Sequence, residues 1–357
     1  MKIASIVGTR PNFIKLAPLS KELRKYFDEI IIHTGQHYDY EMNKIFFDEL
    51  NIPEPNYYLG VGSGTHGYQT GEMIKRIEKV LMCEKPSVVL VFGDTNSTLA
   101  GAIAAVKLHI PVAHVEAGLR SHDKRMPEEI NRVLTDHCSD LLFCPTKTAV
   151  ENLEREGIRS GVYLTGDVMV DALKENIKVA ERKSRILKRL NLRPKKYYLA
   201  TVHRAENTDN YYRLRNIVSA FSEIENLVFL CHPRTEKKLR EYNLWSKLSK
   251  KIRIIRPVGY LDMLMLEKNA YKILTDSGGV QKEAYILGVP CITLRNTTEW
   301  VETVRDGWNV LVGARKEEIV RMAKEFRPSK GQNNVFGNGR ASLKIVGILI
   351  QYIKNSL

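Results

Sequence analysis

The chain has 357 residues, which is more than one hydrophobic core usually serves, so two domains of ordinary size are expected. Its composition, 43% hydrophobic and 27% charged, excludes the fibrous, disordered and disulfide-rich classes. The net charge of +14 suggests nucleic acid at first, but no zinc-finger or RNA-recognition motif occurs, and we predict no such partner.

The N-terminal run Met1–Gly8 lacks the long apolar core and cleavage site of a signal peptide, and it predicts a first buried strand. The most apolar region, 97–115, is interrupted by Lys107 and His109 and is too short for a membrane-spanning helix. Five scattered cysteines form no C-x-x-C pair, so we expect reduced, buried thiols. These features predict a cytoplasmic protein without a membrane span.

Short apolar runs alternate with longer amphipathic segments, a pattern typical of parallel strands covered by helices on both faces. The strands predicted in the first half are Ile3–Val7, Ile30–His33, Val88–Phe92, Val112–Val115, Leu141–Cys144 and Val162–Leu164. After a polar, cationic stretch, further strands are predicted at Tyr197–Val202, Leu227–Cys231, Ile252–Ile255, Ile273–Thr275 and Cys291–Leu294.

This restart predicts two doubly wound, Rossmann-like α/β domains over 1–175 and 176–339, followed by a last helix near 340–354. We expect the two domains to face a central cleft. Ligands of open parallel sheets bind beyond the carboxyl ends of the strands, so functional residues should lie in strand-to-helix loops.

Two such loops are suited to phosphate. Gly8-Thr9-Arg10-Pro11 opens a helix, and its N-terminus favours anions near Arg10 and Lys15. Ser277-Gly278-Gly279 ends a strand and begins a helix whose first N–H groups form a phosphate cradle, with Glu283 one turn further on, within reach of ribose hydroxyls. The alternatives are an ordinary βα turn with two solvated cations at the first place and a serine-capped helix with glycines for close packing at the second.

Three carboxylates are predicted at one edge of the first sheet, because Asp94 and Glu116 follow β-rich runs and Glu128 begins a helix. One of them alone can be a helix cap, but three on one face favour acid–base chemistry. His203 ends the corresponding strand of the second domain and can transfer a proton, with a structural role as the alternative. His232 is a weaker candidate of the same type.

Two apparent motifs are rejected. Gly62–Gly67 matches G-x-G-x-x-G but does not follow the first buried strand of a βαβ unit, so we predict no dinucleotide site. His33 and His37 flank a turn that breaks helical pairing, and no H-E-x-x-H occurs, so we predict no metal site.

The motifs resemble those of the non-hydrolysing UDP-N-acetylglucosamine 2-epimerases, a family of glycosyltransferase-B architecture, over nearly the whole chain. In order they are Gly8-Thr9-Arg10-Pro11, Gly35-Gln36-His37, Gly93-Asp94-Thr95, His114-Val115-Glu116-Ala117-Gly118-Leu119-Arg120, Pro127-Glu128-Glu129, Asp276-Ser277-Gly278-Gly279 and Arg295-Asn296-Thr297-Thr298-Glu299. The resemblance implies reversible conversion of UDP-N-acetylglucosamine to UDP-N-acetylmannosamine, by anti elimination of UDP to 2-acetamidoglucal and syn re-addition. It implies no metal or redox cofactor.

The resemblance also assigns roles. Asp94, Glu116, Glu128 and His203 are catalytic by this comparison. The residues that bind the substrate or its UDP are Arg10, Lys15, Asp94, Glu116, His203, Ser277, Gly278, Gly279 and Glu283. Further implications are lobes that close around the nucleotide sugar, a terminal helix over 340–357 that crosses back to the first domain, and a homodimer.

Two positions depart from the family pattern. Trp300 stands where bacterial relatives carry an arginine, which leaves one nucleotide contact open. The segment Gln36-His37-Tyr38-Asp39 replaces the Gln-His-Arg segment with which bacterial members bind a second UDP-N-acetylglucosamine as activator, so activation by substrate also stays open.

Three other functions remain alternatives. A hydrolysing epimerase would release free N-acetylmannosamine and UDP, and only product analysis separates it from the first prediction. A glycosyltransferase of the same architecture would need an acceptor site. A UDP-sugar sensor without turnover is the third, and the three carboxylates together with His203 argue against it.

Overall fold

The structure is a computed structural model that describes residues 1–36 and 47–355. The chain divides into two compact units, each with its own parallel sheet. Unit 1 comprises Met1–Glu175 and Asn334–Leu357, and unit 2 comprises Asn176–Asn333. Within the described residues, no helix combines the length and the apolar character that crossing a lipid bilayer requires.

Unit 1 is built on a seven-stranded sheet in the order β3-β2-β1-β4-β5-β6-β7. Its strands are β1 (Lys2–Val7), β2 (Asp28–His33), β3 (Tyr57–Tyr58), β4 (Val88–Phe92), β5 (Val112–Val115), β6 (Leu141–Cys144) and β7 (Val162–Leu164). Its helices are α1 (Arg10–Leu23), α2 (His66–Glu84), α3 (Asn96–Lys107), α4 (Pro127–His137), α5 (Lys147–Arg155), the first half of α6 (Val168–Lys183) and the C-terminal helix (Ala341–Asn355). The strand order reverses between β1 and β4, and ligands of such sheets bind at this switch point.

All pairings in this sheet are parallel, and the register is fixed by apolar residues. On β1, Ile6 lies opposite Ile32 on one side and Val91 on the other. Every residue of β4 is buried, as expected for a strand covered on both faces. The C-terminal helix packs against α1, and the Asp171 carboxylate accepts hydrogen bonds from the N–H groups of Ala341 and Ser342, at 3.2 and 2.8 Å.

Unit 2 repeats the architecture with a six-stranded sheet in the order β10-β9-β8-β11-β12-β13. Its strands are β8 (Tyr198–Val202), β9 (Leu227–Cys231), β10 (Arg253–Ile255), β11 (Lys272–Thr275), β12 (Cys291–Thr293) and β13 (Asn309–Leu311). Its helices after α6 are α7 (Ile186–Arg189), α8 (Ala205–Thr208), α9 (Tyr211–Phe221), α10 (Pro233–Glu241), α11 (Trp245–Ser249), α12 (Tyr260–Asn269), α13 (Gly278–Ile286), α14 (Val301–Arg305) and α15 (Lys316–Glu325). Here the strand order reverses between β8 and β11.

The predicted strands are confirmed to within two residues at their ends, and two short strands, β3 and β13, were not predicted. One boundary was wrong: residues 334–339 belong to unit 1, because Phe336 is buried there and its carbonyl accepts a hydrogen bond from the Asp167 N–H at 2.9 Å. The expectation of buried thiols was wrong for Cys83, which is exposed near the end of α2, and Cys138 is only half-buried.

Candidate active site

The turn between β1 and α1 is fixed by the side chain of Asn12. Its oxygen accepts hydrogen bonds from the N–H groups of Gly8 and Thr9, both at 3.2 Å, and from the Thr9 hydroxyl at 2.9 Å. Its amide donates to the carbonyl of Phe92 at 2.8 Å, which ties the turn to the end of β4. The half-buried Arg10 begins α1 directly after this turn, at the switch point of unit 1.

A buried ion pair lies beside the turn. The Lys15 ammonium is 2.5 Å from Oε1 of Glu116, and both side chains are 7% exposed, so water screens this pair little. Glu116 has a φ of +75°, which is strained for a residue with a side chain, and its N–H is held by the carbonyl of Phe143 at 3.1 Å. Gly93 lies against the pair, since a Cβ there would be 2.7 Å from Nζ of Lys15.

Asp94 follows Gly93 at the end of β4 and is held by helix α4. Its carboxylate accepts a hydrogen bond from Nη2 of Arg132, and its carbonyl accepts one from the side-chain amide of Asn131 at 3.0 Å. Glu128 lies in the first turn of α4, where the helix dipole favours an acidic side chain. Because Arg132 is four residues further on, Glu128 lies on the same side of the helix as the arginine that contacts Asp94.

A buried network supports this edge of the sheet from β5. Nε2 of His114 donates to the carbonyl of Gly93 at 2.7 Å, and Nδ1 lies 2.7 Å from the carboxylate of Asp136. That carboxylate also accepts hydrogen bonds from Arg120 at 2.7 Å and from the Gly118 N–H at 3.1 Å. Burial alone would raise the pKa of Asp136, but His114 and Arg120 outweigh it and hold the pKa below its usual value.

In unit 2, the buried side chain of Asp276 organises the corresponding edge. Its carboxylate accepts hydrogen bonds from the N–H groups of His203 and Arg204, each at 3.1 Å, and from the amide of Asn207 at 3.0 Å. These contacts fix the chain where β8 ends. The ring of His203 is 41% exposed, and its Nδ1 lies 3.5 Å from Asp276, so the ring is oriented and accessible.

The turn that follows Asp276 begins α13. The Ser277 hydroxyl accepts a hydrogen bond from the Val280 N–H at 3.4 Å, so it does cap the helix. The first N–H groups of any helix, here those of Gly278 and Gly279, lack an intrahelical acceptor and can bind phosphate oxygens. Gly278 has no room for a side chain, because a Cβ would lie 2.1 Å from the Glu299 carboxylate.

Three further side chains of unit 2 lie beside this turn. Glu283 is buried in the second turn of α13, at 5% exposure. Nζ of Lys282, which is also buried, lies 4.2 Å from the centre of the Trp300 ring, within cation–π distance. The cation of Lys282 therefore lies beside Trp300, the position where the sequence left one nucleotide contact open.

The structure thus brings the predicted site residues together in two groups. Arg10, Lys15, Asp94, Glu116 and Glu128 belong to the β1/β4/β5 edge and helix α4 of unit 1. His203, Ser277, Gly278, Gly279 and Glu283 belong to the β8/β11 edge of unit 2. His37, Tyr38 and Asp39 lie outside the described residues. Among residues 1–36 and 47–355, no three His, Cys, Asp or Glu side chains are placed to hold a metal ion.

Sequence reasoning missed the residues that position these groups, namely Arg132, His114, Asp136 and Asp276. Helical spacing gave one usable signal, since Arg132 is four residues after Glu128. The partners of His114 and Asp276 come from other strands and loops, and only the sheet order reveals them.

Fold and site define an α/β enzyme of glycosyltransferase-B type with a carboxylate-rich sheet edge in one unit and a serine-capped, glycine-rich helix terminus in the other. The chain belongs to the UDP-N-acetylglucosamine 2-epimerase family, whose model matches residues 21–350. It is therefore an isomerase.

Individual relatives cover almost the whole chain. The UDP-N-acetylglucosamine 2-epimerase homolog of Methanococcus maripaludis is 62% identical, over 98% of this chain and 99% of its own length. The crystal structure of Methanocaldococcus jannaschii UDP-GlcNAc 2-epimerase in complex with UDP-GlcNAc and UDP has a TM-score of 0.92 and 56% identity, over 98% of this chain and 100% of that one. The UDP-2,3-diacetamido-2,3-dideoxy-D-glucuronate 2-epimerase of Pseudomonas aeruginosa is 48% identical, over 98% and 99% of the two chains.

Proposed function

We propose that this enzyme interconverts UDP-N-acetylglucosamine and UDP-N-acetylmannosamine. The observation that carries the proposal is the charged group at the switch point of unit 1: the Lys15–Glu116 ion pair and Asp94, with Arg10 at the start of α1 and Glu128 in the first turn of α4. A carboxylate set of this kind suits proton transfer at carbon, and the cations suit a departing diphosphate. The similarity to a structure that contains UDP-GlcNAc and UDP supports the same ligands here.

The proposed reaction has two stages. In the anti elimination, a carboxylate takes the proton from carbon 2, the bond between carbon 1 and the diphosphate oxygen breaks, and UDP leaves with the electron pair. The product is 2-acetamidoglucal, with a double bond between carbons 1 and 2. In the syn re-addition, the UDP oxygen bonds to carbon 1 and a carboxylic acid returns a proton to carbon 2 on the same face as UDP, which is opposite to the face from which the first proton was removed. The configuration at carbon 2 is thereby inverted.

The chain offers a distinct group for each requirement. Lys15 and Arg10 offset the charge that develops on the diphosphate, while Asp94, Glu116 and Glu128 transfer protons and stabilise positive charge on the ring. The Ser277 turn binds phosphate, Glu283 binds ribose hydroxyls, and His203 assists the leaving UDP. We further expect a homodimer whose product supplies N-acetylmannosamine-type sugars for surface polysaccharide or glycan synthesis.

A second substrate is a specific candidate. The relative from Pseudomonas aeruginosa is named for a diacetamido glucuronate that carries the same UDP group, and it is 48% identical to this chain. Inversion at carbon 2 would use the same carboxylates on this substrate. The two candidates therefore differ in the sugar that is bound and share the chemistry.

Product analysis tests the proposal. The purified enzyme is incubated separately with each UDP-sugar, and the products are separated by chromatography and identified by mass and NMR. A higher kcat/KM for UDP-N-acetylglucosamine supports the proposal, and a higher value for the glucuronate assigns the second candidate. Free N-acetylmannosamine plus UDP would show the hydrolysing reaction, and an unchanged pair of substrates would refute an epimerase for either sugar.

Matched glutamate variants separate a catalytic effect from a general one. Glu128→Gln is expected to lower kcat by about 100-fold or more, a typical contribution of general acid–base catalysis. Glu151→Gln changes an exposed glutamate of α5, also in unit 1, and should leave kcat unchanged. Equal activity of the two variants would remove Glu128 from the catalytic set.

A further inference from the structure

The Asp94 carboxylate is held by an arginine. Its Oδ2 accepts a hydrogen bond from Nη2 of Arg132, whose side chain is 2% exposed, whereas the Asp94 side chain is 29% exposed. The amide of Asn131, on the same helix, donates to the Asp94 carbonyl. Helix α4 therefore holds both the backbone and the carboxylate of Asp94, and one oxygen of that carboxylate is directed to the guanidinium.

Arg132 is itself held on its other side. Its Nη1 donates to Oε2 of the buried Glu129 at 2.8 Å. Glu129 accepts three more hydrogen bonds, from the N–H and hydroxyl of Ser121 at 2.9 and 2.8 Å and from the N–H of His122 at 2.8 Å. The loop that precedes α4 thus fixes Glu129, Glu129 fixes Arg132, and Arg132 fixes Asp94.

The guanidinium of Arg132 is well suited to link Glu129 to Asp94. It is planar and stays protonated, and its two terminal nitrogens point in fixed directions toward two different carboxylates. Another pair in the group, Lys15 with Glu116, uses a flexible ammonium that can turn toward a departing diphosphate. The two carboxylates therefore have counter-ions of different mobility.

We infer that Arg132 is a positioning residue for the epimerisation: it holds the Asp94 carboxylate in one orientation toward the sugar while the substrate is converted. This inference rests on the proposed function. Arg132 need not touch the substrate, because its effect passes through Asp94. Misplacement of a catalytic group by about 1 Å can cost about 100-fold in rate.

A double-mutant cycle tests the inference. The wild type, Arg132→Gln, Asp94→Asn and the double variant are compared by kcat and KM with the UDP-sugar that the wild type converts best. Arg132→Gln should lower kcat by about 100-fold in the wild-type background and by less than about threefold in the Asp94→Asn background. Losses that simply multiply would overturn the inference, because a merely structural arginine would act on both backgrounds alike.

Two further variants separate orientation from folding. Arg132→Lys keeps the positive charge but loses the two fixed terminal nitrogens of the guanidinium. Its kcat should therefore lie between those of Arg132→Gln and the wild type, with KM little changed. Arg24→Gln removes another arginine of unit 1 that contacts a buried carboxylate, Glu29 at 3.0 Å, and should lower stability without lowering kcat. UDP affinity checks that each variant is folded. Equal kcat losses for Arg24→Gln and Arg132→Gln would overturn the inference.

Failure of the proposed function gives a different result from failure of the inference about Arg132. A folded wild type that converts neither UDP-sugar refutes the function. The same cycle is then measured on UDP-N-acetylglucosamine affinity by calorimetry, where non-additive changes still support the contact between Arg132 and Asp94 as a positioning element. Additive changes there would overturn it.

Discussion

Replacing Gly93 by alanine tests the catalytic role of the Lys15–Glu116 contact. A matched glycine variant elsewhere in unit 1 measures the effect of backbone strain alone. The φ of Gly93 is +67°, and a Cβ would lie 2.7 Å from Nζ of Lys15 and 3.4 Å from Oε1 of Glu116. Gly93→Ala should therefore cost about 1–2 kcal/mol, the usual penalty of the left-handed region for a residue with a Cβ. It should also push the Lys15 ammonium away from Glu116, and a displacement of this size is expected to lower kcat by about 100-fold.

Gly157 provides the matched control. Its φ is +83°, and within the described residues no atom beyond Gly157 and its two chain neighbours lies within 4 Å of a Cβ built there. Gly157→Ala carries the same backbone penalty without the collision. It should lose about 1–2 kcal/mol of stability with kcat unchanged.

The two variants are compared by urea unfolding and by kcat. Unfolding is followed by far-UV circular dichroism, because the three tryptophans all lie in unit 2 and their fluorescence does not report on unit 1. A stability loss for Gly93→Ala at least as large as that for Gly157→Ala, together with a large difference in kcat, is expected. If kcat of Gly93→Ala lies within about twofold of that of Gly157→Ala, the assigned role of the Lys15–Glu116 contact is wrong.

Two further predictions concern stability. Lys272→Met should lower the free energy of unfolding of unit 2 by about 1–3 kcal/mol, because the Lys272 ammonium donates a hydrogen bond to the carbonyl of Ala323 at 2.6 Å, near the end of α15. An unchanged midpoint of urea unfolding, followed by tryptophan fluorescence, would contradict this. The pKa of Asp136 is lower in the folded chain than in the unfolded one, so its contribution is complete above about pH 4 and is lost as the pH falls through the folded-state value. Asp136→Asn should therefore flatten the acid side of the stability profile, and parallel profiles of unfolding midpoint against pH would refute the role of His114 and Arg120.

The fold was predictable because buried parallel strands are continuous apolar runs. The five residues of β4, Val88–Phe92, are all apolar and all buried, and they were placed correctly. The strands β3 (Tyr57–Tyr58) and β13 (Asn309–Leu311), which were not predicted, are only two and three residues long, and segments this short give a weak periodic signal. Residues 334–339 were assigned to the wrong unit because the contacts of Phe336 come from a segment about 170 positions away.

The candidate site was predictable where a loop motif carries it. Turns such as Gly8–Pro11 and Ser277–Gly279 are predictable because glycine, serine and proline follow directly after a strand. The positioning groups carry no such signal. In the sequence, Arg132 looks like an ordinary helical arginine, and only the structure shows its contact with Asp94, 38 positions earlier. In the same way, His114 looks like one more residue of a buried strand, and only the structure shows its hydrogen bond to the Gly93 carbonyl.

Incorporation of deuterium at carbon 2 is the sharpest test of proton transfer by the carboxylates of unit 1. The enzyme is incubated with UDP-N-acetylglucosamine in deuterium oxide, and the sugar signals are followed by proton NMR. We expect a UDP-N-acetylmannosamine anomeric signal with deuterium at carbon 2, because the proton removed by a carboxylate exchanges with solvent before one is returned. Conversion that retains the original proton at carbon 2 would contradict proton transfer through exchangeable carboxylates, and no conversion would contradict the proposed substrate.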